Sequence, residues 1–262
     1  MPFDIADYKR RTGPVVFDDL DLSHFEAQPL DPDVLRCIGA MHDVEYHTVC
    51  YLRDLLVTPA HADPGITAFL TFWNHEELWH GEALAAVLRA HGRVGGDSRI
   101  GTLRRGLGVR DRIRPLVSLV GSTLAGDDFV ALHMTWGAIN ESCAQASYGQ
   151  LARRAGDPVL TELMHRIMRQ EGRHLDFYAS EAEKRLRTSR RARRLTRWAL
   201  RSFWAPVGSG VVPPADMHFL SSYLFGDDDG RASTRRIDRR VQRLPGLEDL
   251  TLVESAVMAL AA

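Results

Sequence analysis

The chain has 262 residues, of which 45% are hydrophobic and 26% charged, and a formal net charge of −1. This composition is that of an ordinary globular protein with one large core, and the near-zero charge excludes a global pull towards nucleic acid or membrane. Cys37, Cys50 and Cys143 form no CxxC pair, which argues against a disulfide framework or a zinc ribbon and for a reducing cytosol.

Residues 1–30 are polar without a clear period and predict an extended arm lying on the domain. Their first ten residues hold no apolar signal segment, and no run in the chain approaches 18 apolar residues, so the expected setting is cytoplasmic with no membrane partner. Asp31-Pro32-Asp33 is a helix start. From there a 3.6-residue period runs to about Val57 through Leu35, Ile38, Met41, Glu45, Val49, Leu52 and Leu56. A glutamate stands in the middle of that apolar stripe.

Thr58–Gly65 reads as a loop. The second helix spans about Ile66 to Ala90, with Ile66, Leu70, Trp73, Glu77, His80, Leu84 and Val87 on one face. Residues His91–Arg114, rich in glycine and arginine, predict a long loop with at most one short helix; Pro115–Leu124 is apolar and helical, or leads into the next helix. The third long helix, about Asp127 to Arg154, aligns Val130, Met134, Gly137, Glu141, Ala144, Tyr148 and Leu151. Asp157-Pro158 opens a fourth, to about Arg187, whose inner face is Leu160, Leu163, Ile167, Glu171, His174, Tyr178 and Ala182. Beyond it come an arginine-rich helix over 188–203, a breaker at Pro206–Pro214, a short helix near Met217–Phe225 and a basic helix over Arg231–Leu244. The fold class is all-α: a bundle over 31–187, an arm over 1–30 and a helical extension over 188–262.

Glu77 with His80 and Glu171 with His174 each form Glu-x-x-His, which puts carboxylate and imidazole on one helix face within reach of one metal ion. About half of one such pair is expected by chance in a chain of this composition. A third, Glu162 with His165, lies about 180° around its helix from Glu171 and reads as a solvated pair. If the long helices form two antiparallel hairpins, Glu45 and Glu77 lie roughly 18 and 16 Å from the first turn. Glu141 and Glu171 each lie 13 residues from the second, measured from Arg154 and Pro158. Four glutamates at one level, with no lysine or arginine on the inner stripes, would repel one another severely without cations between them. Two Glu-x-x-His helices and two further glutamates are the ligand set of di-iron four-helix bundles, and carboxylate with imidazole suits iron, and manganese less often.

At these residues the chain resembles soluble acyl-carrier-protein desaturases of the ferritin-like di-iron superfamily. Trp73-Asn74-His75-Glu76-Glu77-Leu78-Trp79-His80-Gly81-Glu82 is similar to the family's first metal motif, and Glu171-Gly172-Arg173-His174 to its second. The run from Glu141 through Tyr148-Gly149 to Gly156-Asp157 is similar to its third helix and turn. The resemblance covers roughly residues 31–187. It implies Glu45, Glu77, His80, Glu141, Glu171 and His174 as ligands of two irons, with Glu77 and Glu171 bridging, and a homodimer. Trp79 stands where the family has arginine, Ala144 where it has threonine, and Gln170 where it has an acid. These departures spare the ligands but alter oxygen and proton handling.

The implied activity is O2-dependent oxidation of an acyl or related substrate, carrier-bound or free, by hydrogen abstraction. Hydroxylation and N-oxygenation remain open, and iron storage is the rival from another class. The 64 residues from Glu77 to Glu141 and the long extension favour a substrate-handling enzyme over a compact storage bundle. No nucleotide-binding motif or cysteine cluster is present, so electrons would come from an external donor such as a ferredoxin. Arg190, Arg194, Arg197 and Arg201 share a helix face that would dock an acidic carrier protein or ferredoxin, or simply face solvent. Tyr148, Met134 and Cys143 are candidate cavity residues or plain core.

Overall fold

The computed structural model describes residues 3–261, apart from the side chain of Arg110. The architecture is an all-helical bundle, and the described residues contain no strand beyond one isolated bridge, Ser209 with Val212. Two short helices, α1 (Ile5–Arg11) and α2 (His24–Ala27), precede the four long ones: α3 (Pro32–Leu56), α4 (Pro64–Ala90), α7 (Asp128–Ala155) and α8 (Pro158–Thr188). Between them lie α5 (Asp97–Gly106) and α6 (Gly108–Ala125), and α9 (Arg190–Phe203), α10 (Pro214–Phe225), α11 (Asp228–Val241) and α12 (Val253–Ala261) follow.

Three of the four long helices begin with Asp-Pro. The Asp31 carboxylate accepts from the Asp33 amide at 2.8 Å, Asp63 from Gly65 at 2.9 Å, and Asp157 from Leu160 at 2.8 Å. Each aspartate satisfies a backbone donor that the first turn leaves free, and each proline occupies the position where no donor is needed. Gly156 closes α7 in the left-handed conformation at φ 61°, which a glycine adopts without steric cost.

α3 pairs with α4 and α7 with α8, while α4 meets α8 and α3 meets α7 across the bundle. The stripes on α4 and α8 are buried throughout. That on α3 turns outward at its end, where Val49 and Leu56 are exposed. Phe69 stacks on Phe177 with ring centroids 3.8 Å apart. Each large apolar side chain sealed in this way contributes about 1.5–3 kcal/mol. Gly137 brings α7 onto α8, because a Cβ there would run into the Tyr178 ring.

The extension closes one side of this frame. α9 and α11 pack on α7, and α10 reaches α3, α7, α11 and α12. The buried Asp238 of α11 accepts from the amides of Leu252, Val253 and Glu254 at 2.8–3.0 Å, fixing the entry to α12.

Two expectations are corrected. Most of His91–Arg114 is helical, in α5 and the first part of α6, rather than a loop. Arg99 bonds Asp43, and Arg53 bonds Asp111, so side chains of α3 hold segments whose own sequence shows little apolar period. The 1–30 segment is not simply extended. Asp4 caps α1, and a seven-residue helix is too short to display a period.

Gly137→Ala should destabilise the protein by about 1–3 kcal/mol, since the buried Tyr178 ring has nowhere to go. Urea unfolding measures this, and an unchanged midpoint would show that the α7–α8 contact is looser than described.

A buried carboxylate and histidine centre

The six residues singled out by spacing converge at mid-bundle, one helix contributing Glu45, one Glu77 and His80, one Glu141, and one Glu171 and His174. All six are buried. They form two groups of four donors, Glu45, Glu77, His80 and Glu171, and Glu77, Glu141, Glu171 and His174. Within each group one donor atom per residue lies within 4.8 Å of the others, and the two groups share Glu77 and Glu171.

His80 Nδ1 lies 3.2 Å from Glu171 Oε1 and 4.0 Å from Glu45 Oε2; His174 Nδ1 lies 3.0 Å from Glu77 Oε1 and 3.4 Å from Glu171 Oε2. Among the described residues no lysine or arginine pairs with these four carboxylates. Glu45 Oε2, Glu77 Oε1, both oxygens of Glu171 and the Nδ1 atoms of His80 and His174 have no hydrogen-bond partner. Orphaned buried polar atoms cost about 1–3 kcal/mol each. Six gathered in one place form a donor set that two cations can satisfy, so these residues fit a metal pair.

The outer nitrogens of both histidines are occupied. His174 Nε2 faces Glu76 Oε2 at 2.7 Å and His80 Nε2 faces Gln170 Oε1 at 2.9 Å. A carboxylate or amide oxygen there accepts the Nε2 proton, so that in the neutral ring a cation would favour, the Nδ1 lone pair is directed inward. Glu76 is itself held by the Tyr8 hydroxyl at 2.8 Å and Arg173 at 2.8 Å, and Gln170 donates to the Gly13 carbonyl at 3.0 Å. The N-terminal segment therefore supports both histidines. On the other side the Trp73 indole donates to Glu141 Oε1 at 3.0 Å, and the Tyr148 hydroxyl donates to Glu45 Oε1.

Burial and the neighbouring carboxylates Glu45 and Glu171 push the Glu77 carboxyl well above the ordinary range, and burial with Glu171 and Glu77 does the same to Glu141. Burial opposes the charge on Glu171 as well, but the adjoining His174 and His80 outweigh it and hold this carboxyl low. Burial alone would lower His174; Glu171 and Glu76 reverse that and raise it to about 10. Burial likewise opposes ionisation of Glu76, yet His174, Tyr8 and Arg173 bring it down to about 2. Glu76 is thus a fixed anion behind His174.

A cavity of about 90 Å³ adjoins the centre at Glu45. Met41, Cys143, Ala144 and Tyr148 line it from the bundle, and Leu224 and Val257 from the extension. Of the three candidate cavity residues, Tyr148 and Cys143 line it, whereas Met134 is fully buried and does not. Met134 lies about two and a half helical turns before Cys143, the first residue of α7 to line the cavity.

Glu162 and His165 lie on the outer side of α8, where Arg166 bonds Glu162 at 2.8 Å. The residues that sequence reasoning missed are Glu76, Tyr8 and Arg173. The Glu76-Glu77 doublet carried a signal, since Glu76 sits about 100° from Glu77 on the helix. Tyr8, 68 residues from its partner, carried none. No protein-family model, no curated protein and no solved structure matches this chain.

Two outcomes are expected. Glu76→Gln should weaken metal binding about 10- to 100-fold by loosening His174, as read by competition against a chromophoric chelator; undiminished affinity would remove Glu76 from the site. The second concerns pH. Because the folded-state values of Glu77 and Glu141 are raised, these two groups hold more protons in the metal-free folded protein than in the unfolded chain. The contribution of these two carboxyls to stability therefore falls as pH rises above about 4.5. A divalent cation at a hundredfold excess over Kd adds about 2.7 kcal/mol, which for this chain length is about 5–10 °C in Tm. With the cation concentration held fixed, the gain should be larger at pH 8 than at pH 6 because protons compete less for the carboxylates, and a gain independent of pH would contradict the proton linkage.

Proposed function

We propose that this chain is an O2-activating, non-haem di-iron oxidoreductase on a ferritin-like four-helix bundle, similar to soluble acyl-carrier-protein desaturases. The observation that carries this reading is the pair of four-donor groups sharing Glu77 and Glu171 in a core without basic partners. Glu45 and His80 would hold one ion and Glu141 and His174 the other, with Glu77 and Glu171 common to both. Carboxylate and imidazole donors without sulfur favour iron, then manganese. When bound, the ions supply reductive O2 activation at the expense of an organic substrate.

The chain's own residues supply the surroundings. Glu76 and Gln170 keep the imidazoles in one tautomer, and Trp73 and Tyr148 fix the outer oxygens of Glu141 and Glu45. Tyr148 also forms part of the cavity wall, and burial with the Glu45 and Glu171 charges raises its hydroxyl well above the usual range. It therefore holds its proton against Glu45 at the cavity face. The aliphatic wall excludes water and accommodates the apolar part of a substrate beside Glu45.

That apolar chamber supports a substrate-handling oxidase over iron storage, which requires a polar iron path. The substrate class is an acyl or related organic molecule, carrier-bound or free, with desaturation, hydroxylation and N-oxygenation all compatible with the site. Reducing equivalents would come from an external donor such as a ferredoxin. Acyl carrier protein is the candidate carrier, and a cytoplasmic homodimer is the expected form.

The test is the O2 reaction of anaerobically loaded ferrous protein with and without acyl-carrier thioesters. Oxidation of about two irons per chain, accelerated by thioester, is the expected result. Rapid oxidation indifferent to thioester, with iron uptake beyond two ions, would favour storage, and failure to bind iron would overturn the site. Ala144→Leu, which intrudes on the cavity, should slow the substrate-dependent oxidation about tenfold while two irons still bind. An unchanged rate would place the substrate elsewhere.

A further inference from the structure

α6 is an amphipathic helix mounted with its apolar side outward. At 100° per residue, Val109, Ile113, Leu116, Val117, Val120 and Leu124 fall within an arc of about 100°. All six are exposed, from 46% at Ile113 to 76% at Leu124. The opposite side carries Asp111, Pro115, Ser118, Ser122 and Ala125, which are buried or half-buried. The polar and small residues of α6 thus face the protein, where Asp111 bonds Arg53 of α3. Its aliphatic residues face away. With Leu119 they present on the order of 700 Å² of apolar side chain, above the roughly 300–600 Å² of the largest patch on a typical monomer.

The neighbouring surface is basic and aromatic. Arg191 of α9 donates to the Leu124 carbonyl at the end of α6 at 3.1 Å. Trp198 lies seven residues on along the same face of α9 and meets Phe203 edge to face; both rings are exposed. α9 holds six arginines and no acidic residue. Arg190, Arg194 and Arg201 make no ion pair among the described residues, whereas Arg197 is engaged by Asp249. Of the arginines on α5 and α6, Arg105 and Arg112 make no ion pair among the described residues, whereas Arg99 and Arg114 are engaged by Asp43 and Asp54 of α3.

We propose that the apolar stripe of α6 and the arginine face of α9 form a surface that docks on an anionic lipid bilayer. An exposed aliphatic stripe flanked by arginines, with aromatic rings beside it, is the chemistry of helices that lie in the headgroup layer. Charge excludes a second copy as the better occupant, because two such basic faces would oppose each other. Shape argues against an acidic protein, since among the described side chains of α6 only Ser122 and Ala125 are buried, and a helix so exposed offers no groove for a partner's anchor. No described helix is long and apolar enough to cross a membrane, and lying on one requires none. The expectation of no membrane partner rested on the net charge and on the lack of a spanning run; a local patch that is apolar and basic departs from it.

The test is co-sedimentation of the full chain with phosphatidylcholine vesicles and with vesicles in which half the lipid is phosphatidylglycerol. Binding to the anionic vesicles alone, weakened by salt and accompanied by a blue shift of emission that Trp198→Phe removes, is the expected result. Leu116→Ser/Val120→Ser/Leu124→Ser should abolish binding with an unchanged circular dichroism spectrum. Should that variant unfold, Arg190→Gln, Arg194→Gln and Arg201→Gln keep the test, each weakening binding about fivefold. No binding to anionic vesicles, or binding untouched by both sets of substitutions, overturns the proposal. So does a dimer in sedimentation equilibrium that the serine variant converts to monomer, which would assign the stripe to a second copy.

Discussion

Four carboxylates and two imidazoles share one level of a helical core, and the four carboxylates have no lysine or arginine among their described neighbours. Isolated buried charge is among the most expensive arrangements a protein can contain, and the usual remedy, an arginine drawn into a pair, is absent at these residues. Protonation offers partial relief, as the raised values of Glu77, Glu141 and His174 indicate. A cation pair offers a fuller one, because each unsatisfied oxygen and nitrogen then gains a partner. Everything around the centre is arranged to keep these groups facing inward at that cost.

The surrounding layer is polar in the same economical way. Glu76 and Gln170 each take one histidine nitrogen, and both are anchored by the N-terminal segment through Tyr8 and Gly13. Trp73 and Tyr148 take one oxygen each from Glu141 and Glu45. These four contacts remove the rotational freedom that would let one of these side chains swing away from its neighbours. At Gln170 an amide oxygen accepts from His80 as a carboxylate would, without adding another charge to a crowded region.

The C-terminal helices serve the centre differently. They provide no donor to it, yet Leu224 and Val257 complete the apolar wall of the cavity at Glu45. A bundle of four helices alone would leave that side open to water. The extension therefore accounts for the apolar cavity beside Glu45.

Glu45, Glu77, His80, Glu141, Glu171 and His174 were legible in the sequence because helical geometry is local. A period of 3.6, an Asp-Pro start and a count of residues from each turn fix which side chains share a face and a height. The all-α class followed from the same rule. What the sequence could not supply were contacts between segments far apart in the chain: Tyr8 with Glu76, Leu224 and Val257 beside Tyr148, and the direction in which α6 presents its stripe. An amphipathic pattern states that one face differs from the other, but only packing decides which face meets the protein. In α6 the Asp111–Arg53 contact and the buried Ser122 decided it, and turned the apolar side outward.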